Sequence, residues 1–489
     1  MPDSIQFDTI IDQLTPDVQV ETDWESGSTG LPNDKKTLLL MGQGLASGSV
    51  GVPTGSDVQT PQRITSVAKA ISLFGKGSNL AVMCEYAIKA GPRATIYAVQ
   101  IKAGTTPGQA TIDLVLASNA TGSGELRVHI MGERFAVGVA SGDTPTDIGD
   151  LIEAAINGHP NLPVTASNAA GTVTLNHRVL GLEGNSIATR AEITASGMTA
   201  TMGGASLASG TVAADPTTQL AAMLADRYHL IAAECSDATA LGLIQAHQEA
   251  ASTPAEKRWG LGIAAVVDTA ANAQTLGNGL DSYRMQVLWQ EASERPAYAL
   301  AATLAGLRAS NGPKKAFDNV VLPNVPTPYD EDAWPNVGDI ETALEEGLIP
   351  LRAKRGSGKC EIVRSVVTRQ TTPITYRDHN IPEKSDYTDL AVITGLTPYV
   401  GKTLKVDSPP GQPGTVTPNR VKATLGRILK ALDREDILQG VATAIGEGRV
   451  FAKVNNTTVT RVDCAYPFKP TQNAHTIMCK KTYETTASL

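Results

Sequence analysis

The sequence predicts an α/β protein. A mainly parallel sheet with helices on both faces is interrupted by an inserted β-rich domain and followed by an α+β C-terminal domain with extended terminal arms. Three observations carry that reading. From residue 37 to residue 367, short apolar runs alternate with helical patterns, the rhythm that builds parallel βαβ units covered on both sides. Residues 104–213 break this rhythm with short alternating runs rich in Gly, Ala, Ser and Thr. Beyond residue 370 the texture changes again, to a Pro/Gly-rich linker and one strongly amphipathic helix. The 489 residues leave room for about three domains.

Taken in order, residues 1–30 mix Pro, Asp, Ser and Gly around a small apolar patch of Ile5, Phe7, Ile10 and Ile11. They predict an extended arm that stays disordered alone or adds to a partner's sheet. The first part of the α/β core covers residues 31–103. Within it, TLLLM at 37–41 is a buried-strand pattern that ends in a glycine-rich stretch. Helices are predicted over 66–74, stopped by Gly75, and over 78–89, stopped by Gly91-Pro92, before the next strand at 94–101. In 104–213, six short strand patterns surround one helix at 146–156. This stretch lies between two α/β units, so it is expected as an insertion into a surface loop.

The second part of the core covers 214–369. Helices predicted over 217–226, 237–251, 269–280 and 297–308 alternate with strands at 228–233, 260–267, 285–289 and 319–322. A Pro-rich loop at 324–336, a helix at 339–346 and strands at 349–353 and 362–367 complete it. The C-terminal unit, 370–470, holds the linker 408–417, a helix at 418–438 and strands at 449–455 and 457–463. Residues 471–489 form a second, Thr-rich extended arm.

Composition narrows the function. The formal charge is −8, and aromatics make up only 4% of the chain. Nucleic acid therefore meets neither a global basic field nor many stacking platforms. No apolar run approaches the roughly 20 residues needed to cross a bilayer. The first residues carry Asp3, Asp8 and Asp12 without a basic region, unlike a secretory signal. Five scattered cysteines without a C-x-x-C pair fit a reducing compartment. A soluble protein kept in a cytoplasm, with neither nucleic acid nor membrane as partner, is the expectation.

No motif supplies a catalytic or cofactor site. Gly42, Gly44 and Gly48 approach a dinucleotide fingerprint, but the next predicted helix starts near residue 66 instead of directly after the glycines. Residues 354–360 (KRGSGKC) resemble a phosphate loop but put Cys360 where the hydroxyl belongs and space the glycines too closely. Their cations, with Arg352, suit a solvated turn or an acidic neighbour. G-x-S-x-G is absent, and the seven histidines are dispersed. His475 and Cys479 stand four apart in a segment that does not read as a helix, so they predict no metal site. No catalytic, cofactor-binding or metal-binding residue is assigned.

The helix at 418–438 is the most informative segment. Val421, Leu425, Ile428 and Leu432 form one apolar stripe, and Arg420, Arg427, Lys430 and Arg434 fall on the opposite face. One face docks to its own domain, and a row of cations points outward. A solvated basic face and a docking face for an acidic protein both fit this pattern.

Several segments together resemble Mu-type contractile phage tail sheath proteins. They are KTLLLMGQ (36–43), RITSVAKAISLFGKGSNLAVMCEYAIKAGP (63–92), TIYAVQI (95–101), GERFAVGVASGDTPTDIGDLIEAAIN (132–157), GLEGNSI (181–187) and RVDCAYPFKPTQNAHTI (461–477). The resemblance covers nearly the whole chain. It implies a subtilisin-like core without a working triad, in a subunit that forms hexameric rings stacked helically around a tail tube. The implied partners are other copies, the tube protein, and the baseplate and tail terminator proteins. The implied place is the virion tail, with assembly in the host cytoplasm. The exchanged inter-subunit strands would include Ile5, Phe7, Ile10 and Ile11, and either Val450, Phe451 and Val454 or the tail after Thr471. The tube would meet Arg420, Arg427, Lys430 and Arg434, and the inserted module would lie on the outside. Contraction would release stored lattice energy by rigid-body domain rotation about the arms. A nucleotide-using or hydrolytic α/β enzyme with a β insertion is the alternative from another class. The sheath of a bacteriocin-type injection system is a third reading.

Overall fold

The computed structural model describes residues 31–32, 35–329, 334–406, 414–475 and 477–480. The chain forms two compact units, Lys35–Asp386 with Gln472–Leu489 and Met1–Asp34 with Tyr387–Thr471.

The larger unit opens with β1 (Thr37–Gly42), β2 (Gln62–Ile64), α1 (Val67–Phe74), α2 (Asn79–Ala90) and β3 (Thr95–Gln100). Then come β4 (Thr111–Ala117), β5 (Gly124–Ile130), β6 (Glu133–Val139), α3 (Pro145–Gly158), β7 (Val164–Ala169), β8 (Thr172–His177), β9 (Thr189–Ile193) and β10 (Thr199–Met202). The α/β rhythm resumes with α4 (Thr217–Ala222), β11 (Leu230–Ala233), α5 (Ala238–Ala251), β12 (Leu261–Val266), α6 (Ala270–Asn278), β13 (Met285–Trp289) and α7 (Ala297–Ala309). It closes with β14 (Val321–Pro326), α8 (Val337–Glu345), β15 (Leu348–Lys354), β16 (Lys359–Ile362) and the start of α9 (Asn380–Leu396).

Nine strands form one sheet in the order β14-β16-β15-β13-β12-β11-β1-β3-β2. The six from β15 to β3 are parallel, and antiparallel β2, β14 and β16 flank them. The alternation in β1 shows why both faces are covered. Leu38 and Leu40 pack with α2 and α7 residues such as Leu80 and Leu300, and Leu39 and Met41 pack with α5 residues Leu241 and Ile244. All four β1 side chains are fully buried. Ser66 and Ser78 cap α1 and α2 by accepting the Lys69 and Ala81 amides, and Gly75 and Gly91 end these helices, as the sequence predicts for the two glycines.

Strands β4 to β10 form two small sheets, β10-β4-β8-β7 and β6-β5-β9, with α3 packed on them. Their stems meet where Lys102 and Asp215 form an antiparallel bridge and an ion pair of 3.1 Å. Leaving and returning at adjacent positions lets this excursion sit on the sheet without disturbing strand order.

The smaller unit holds β17 (Thr403–Leu404), β18 (Thr415–Val416), α10 (Pro418–Arg434), α11 (Val441–Gly446), β19 (Phe451–Val454) and β20 (Val462–Ala465). Its core joins Leu425, Ile428, Leu429 and Leu432 of α10 to Ile437, Leu438, Val441 and Val450.

Several boundaries differ from expectation for physical reasons. Helix α10 stops at Arg434 because Asp436 turns left-handed (φ 54°) and the Leu432 carbonyl accepts the Ile437 amide. The strand expected at 457–463 becomes Val462–Ala465 because Asn455 Oδ1 accepts the Thr457 and Thr458 amides and shapes a turn. The strand expected at 319–322 lies at Val321–Pro326, where Pro323 and Pro326 are tolerated at a sheet edge. The strand expected at 362–367 forms earlier, at Lys359–Ile362. Helix α9 was not expected at all. It buries Glu383, Lys384 and Thr388 and leaves Leu390 and Ile393 partly exposed, so it carries no clean apolar stripe.

Candidate assembly surfaces

The chain runs from β1 to β3 on one side and then to β11 on the other, so β1 and β11 frame a topological switch point. In doubly wound sheets, ligands bind at the carboxyl ends of such strands. Here that position is filled by the protein itself. The Gly42–Gly48 stretch folds back onto the end of α1, with Leu45 N donating to Phe74 O (2.7 Å) and Val50 N to Leu73 O (2.9 Å). A Cβ on Gly48 would stand 2.4 Å from Leu73 O, so that glycine serves close backbone packing. The Gln43 amide, which could have met a phosphate, donates to Glu234 Oε2 at 3.0 Å.

Glu234 at the end of β11 and Glu183 from the inserted region are both almost fully buried. Glu183 Oε1 accepts the Ala214 amide at 2.9 Å. The second carboxyl oxygen of each, Glu183 Oε2 and Glu234 Oε1, has no hydrogen-bond partner. Burial, reinforced by the Glu183 carboxyl, pushes Glu234 up to about 8. Burial pushes Glu183 up to about 7. Such a site places carboxyl groups where a phosphate would need cations or amide donors. It also fixes a sign for pH dependence, because the folded protein holds protons here that the unfolded chain releases. Stability is therefore expected to fall as pH rises from the ordinary carboxyl value of 4.5 toward about 8. Glu234→Gln should gain roughly 2 kcal/mol at pH 8, with the gain shrinking toward pH 5. Urea unfolding at the two pH values measures it, and an equal effect at both would refute the assignment.

The other motifs resolve plainly. Residues 354–360 are the tip of the β15–β16 hairpin and do not lead into a helix. His379 is buried, its ring nitrogens facing Ser365 O (3.2 Å) and Lys315 O (3.1 Å). His475 lies in an irregular segment, with Nδ1 2.8 Å from Asp318 and Nε2 2.6 Å from Asp378. Among the described residues no group of three or more His, Cys, Asp or Glu is placed to hold a metal ion. Among the described residues no helix is long and apolar enough to cross a membrane.

The surfaces with unspent interaction capacity are elsewhere. Thr417 caps α10 by accepting the Arg420 amide, and Pro418 occupies its first turn. The buried stripe then leaves Arg420, Arg427, Lys430 and Arg434 all exposed. Among the described residues none of the four pairs with a carboxylate; Arg420 donates to Thr415 O (3.2 Å) and lies over the Tyr399 ring. Strands β19 and β20 form a two-stranded ribbon with no third strand among the described residues. Val450, just before it, is buried in the core, whereas Phe451 is 42% exposed and Val454 half-buried. Ile5, Phe7, Ile10 and Ile11 lie outside the described residues.

Sequence reading did not find the Glu183–Glu234 pair or the His475 clamp. A carboxylate directly after the apolar run LIAA was the available signal for Glu234.

Comparison with known proteins finds similarity to contractile tail sheath proteins. The chain is 26% identical over 364 residues to the Mu-like prophage FluMu tail sheath protein of Haemophilus influenzae, a match covering 72% of each chain. That bears out the resemblance read from the sequence, and the role of the chain is structural, not enzymatic. The helical sheath of the anti-feeding prophage in its contracted state shares the fold, with a TM-score of 0.50 and 14% identity across 97% of this chain and 100% of that one. A sheath tail protein from Desulfitobacterium hafniense aligns over 90% of this chain and 93% of its own, with 12% identity and a TM-score of 0.48. No family model matches the chain.

Proposed function

We propose that this chain is the repeating subunit of a contractile tail sheath, stacked as hexameric rings around a tail tube and contracting to drive the tube through a host envelope. The observation that carries the proposal is the match to a Mu-like prophage sheath protein over 72% of both chains. On this reading the nine-stranded sheet is a subtilisin-like core without a triad, and the β4–β10 excursion is the outer module. The terminal arms, with the β19–β20 ribbon, are the exchanged strands. Baseplate and tail terminator proteins close the ends, and assembly takes place in the host cytoplasm.

The exposed row Arg420, Arg427, Lys430 and Arg434 is the face assigned to the tube. Single exposed ion pairs are weak, so grip comes from repetition around the rings and release stays easy during contraction. Electron microscopy of the purified chain tests the assignment. Rings or tubes are expected, whereas a dispersed monomer at high concentration would sink it. Arg427→Glu with Lys430→Glu should abolish co-assembly with the tube protein and leave self-association intact; unchanged tube binding would remove α10 from that interface.

A further inference from the structure

A cleft of about 600 Å³ opens beyond the carboxyl ends of β12 and β13, where they face the strands of the inserted region. Its charged and polar lining includes His129, Arg190, Asp268, Glu291, Glu294 and Tyr329. Most of these groups are already engaged. Asp268 Oδ1 accepts Thr269 N (2.7 Å) and Asn272 Nδ2 (2.9 Å), and Glu294 Oε1 accepts Tyr329 N (3.2 Å). The Arg190 guanidinium stacks on the Tyr329 ring at 3.3 Å and pairs with Glu192 at 2.9 Å.

Glu291 is different. It is half-buried and has no hydrogen bond or ion pair to any described residue. Burial, with Asp339 and Asp268 nearby, raises its carboxyl above the ordinary value. A half-buried carboxylate among other carboxylates favours a cation that would neutralise it.

The same chain displays such cations. The β15–β16 turn exposes Lys354, Arg355 and Lys359 at a tip narrowed by Gly356 (φ 74°) and Gly358 (φ 62°). Among the described residues neither Arg355 nor Lys359 pairs with a carboxylate, and Lys354 stands 3.9 Å from Glu361. The tip is fastened by Thr327 N donating to Gly358 O (3.2 Å), while Glu291 of its own chain remains unpaired. Among the described residues, Arg355 and Lys359 at this tip thus meet no carboxylate.

We propose that the tip at residues 354–359 of one copy seats Arg355 against Glu291 in the cleft of a second copy, as a charge-paired lattice contact. The proposal rests on the sheath reading and adds one interface to it. The test uses the full chain, with polymerisation followed by sedimentation at low and high salt. Glu291→Lys alone and Arg355→Glu alone should each raise the critical concentration by roughly tenfold at low salt, with the two combined restoring it. High salt should narrow these differences. Glu291→Gln should give an intermediate loss, and an unchanged thermal melt of each variant excludes misfolding. If the wild type polymerises and the single reversals do too, or if the combination fails to recover, this contact is overturned while the sheath reading stands. A wild type that never polymerises sinks both.

Discussion

Replacing Arg308 with Leu is expected to cost the larger unit about 3 kcal/mol, the penalty for taking one of two cations from a buried carboxylate. Arg308 on α7 is fully buried and donates to Glu383 Oε1, while Lys36 Nζ lies 2.9 Å from Glu383 Oε2. Burial opposes ionisation of Glu383, but the cations outweigh it and hold the carboxyl at about 2. The stability this contributes is present above the ordinary carboxyl range and is lost as pH falls toward 2. In Arg308→Leu the acid-dependent loss should shrink, because Glu383 no longer has its strongest partner. Adding Glu383→Leu should recover part of the stability, because the Arg308–Glu383 pair is then replaced by apolar groups while Lys36 loses this carboxylate. Urea unfolding of the single and double variants measures this. A loss below about 1 kcal/mol for Arg308→Leu would show that the pair is screened by solvent.

The placement of this knot gives it a second meaning. Lys36 and Glu383 stand just inside the two points where the chain passes from one compact unit to the other, at residues 34/35 and 386/387. At the third passage, after Thr471, His475 is held between Asp318 and Asp378. Each connection is thus anchored by polar side-chain contacts inside the larger unit. On the sheath reading, force transmitted through a connection would meet these contacts before the strand beside it.

Much of the core was legible in the sequence because its signals are local. Apolar runs such as TLLLM and MQVLW, set between helical patterns, read as strands buried on both faces, and Gly75 and Gly91 mark the ends of their helices. The basic face of α10 was equally plain, since its stripe follows the helical period through Val421, Leu425, Ile428 and Leu432. What escaped depends on distant partners. Helix α9 buries Glu383 and Lys384, and periodicity reads these as exposed. The burial of Glu383 is offset by Arg308 and Lys36, which are 75 and 347 residues away in the chain. Glu183 and Glu234 meet only after the inserted region has folded back onto the sheet. Local pattern cannot carry information of that range.

Deleting residues 1–15 is expected to leave a folded, soluble chain that no longer polymerises. Residues 1–30 contain Asp3, Asp8, Asp12, Asp17, Glu21, Asp23 and Glu25 and no Lys or Arg, and Ile5, Phe7, Ile10 and Ile11 form an apolar patch near the start. The thermal melt of the shortened chain is expected to hold. The β19–β20 ribbon offers the complementary half of the contact, an unextended sheet edge beside exposed Phe451. Burying those apolar side chains along an edge would contribute about 3 kcal/mol per contact, near a hundredfold in critical concentration. In a lattice where every subunit repeats the contact, that loss is enough to abolish tubes at ordinary concentrations. Sedimentation with electron microscopy reads the outcome. Tubes of normal yield from the shortened chain would exclude the N-terminal arm as a shared strand. A variant carrying Ile5→Asp and Phe7→Asp separates the effect of lost anchors from lost length, and it should fail to polymerise in the same way.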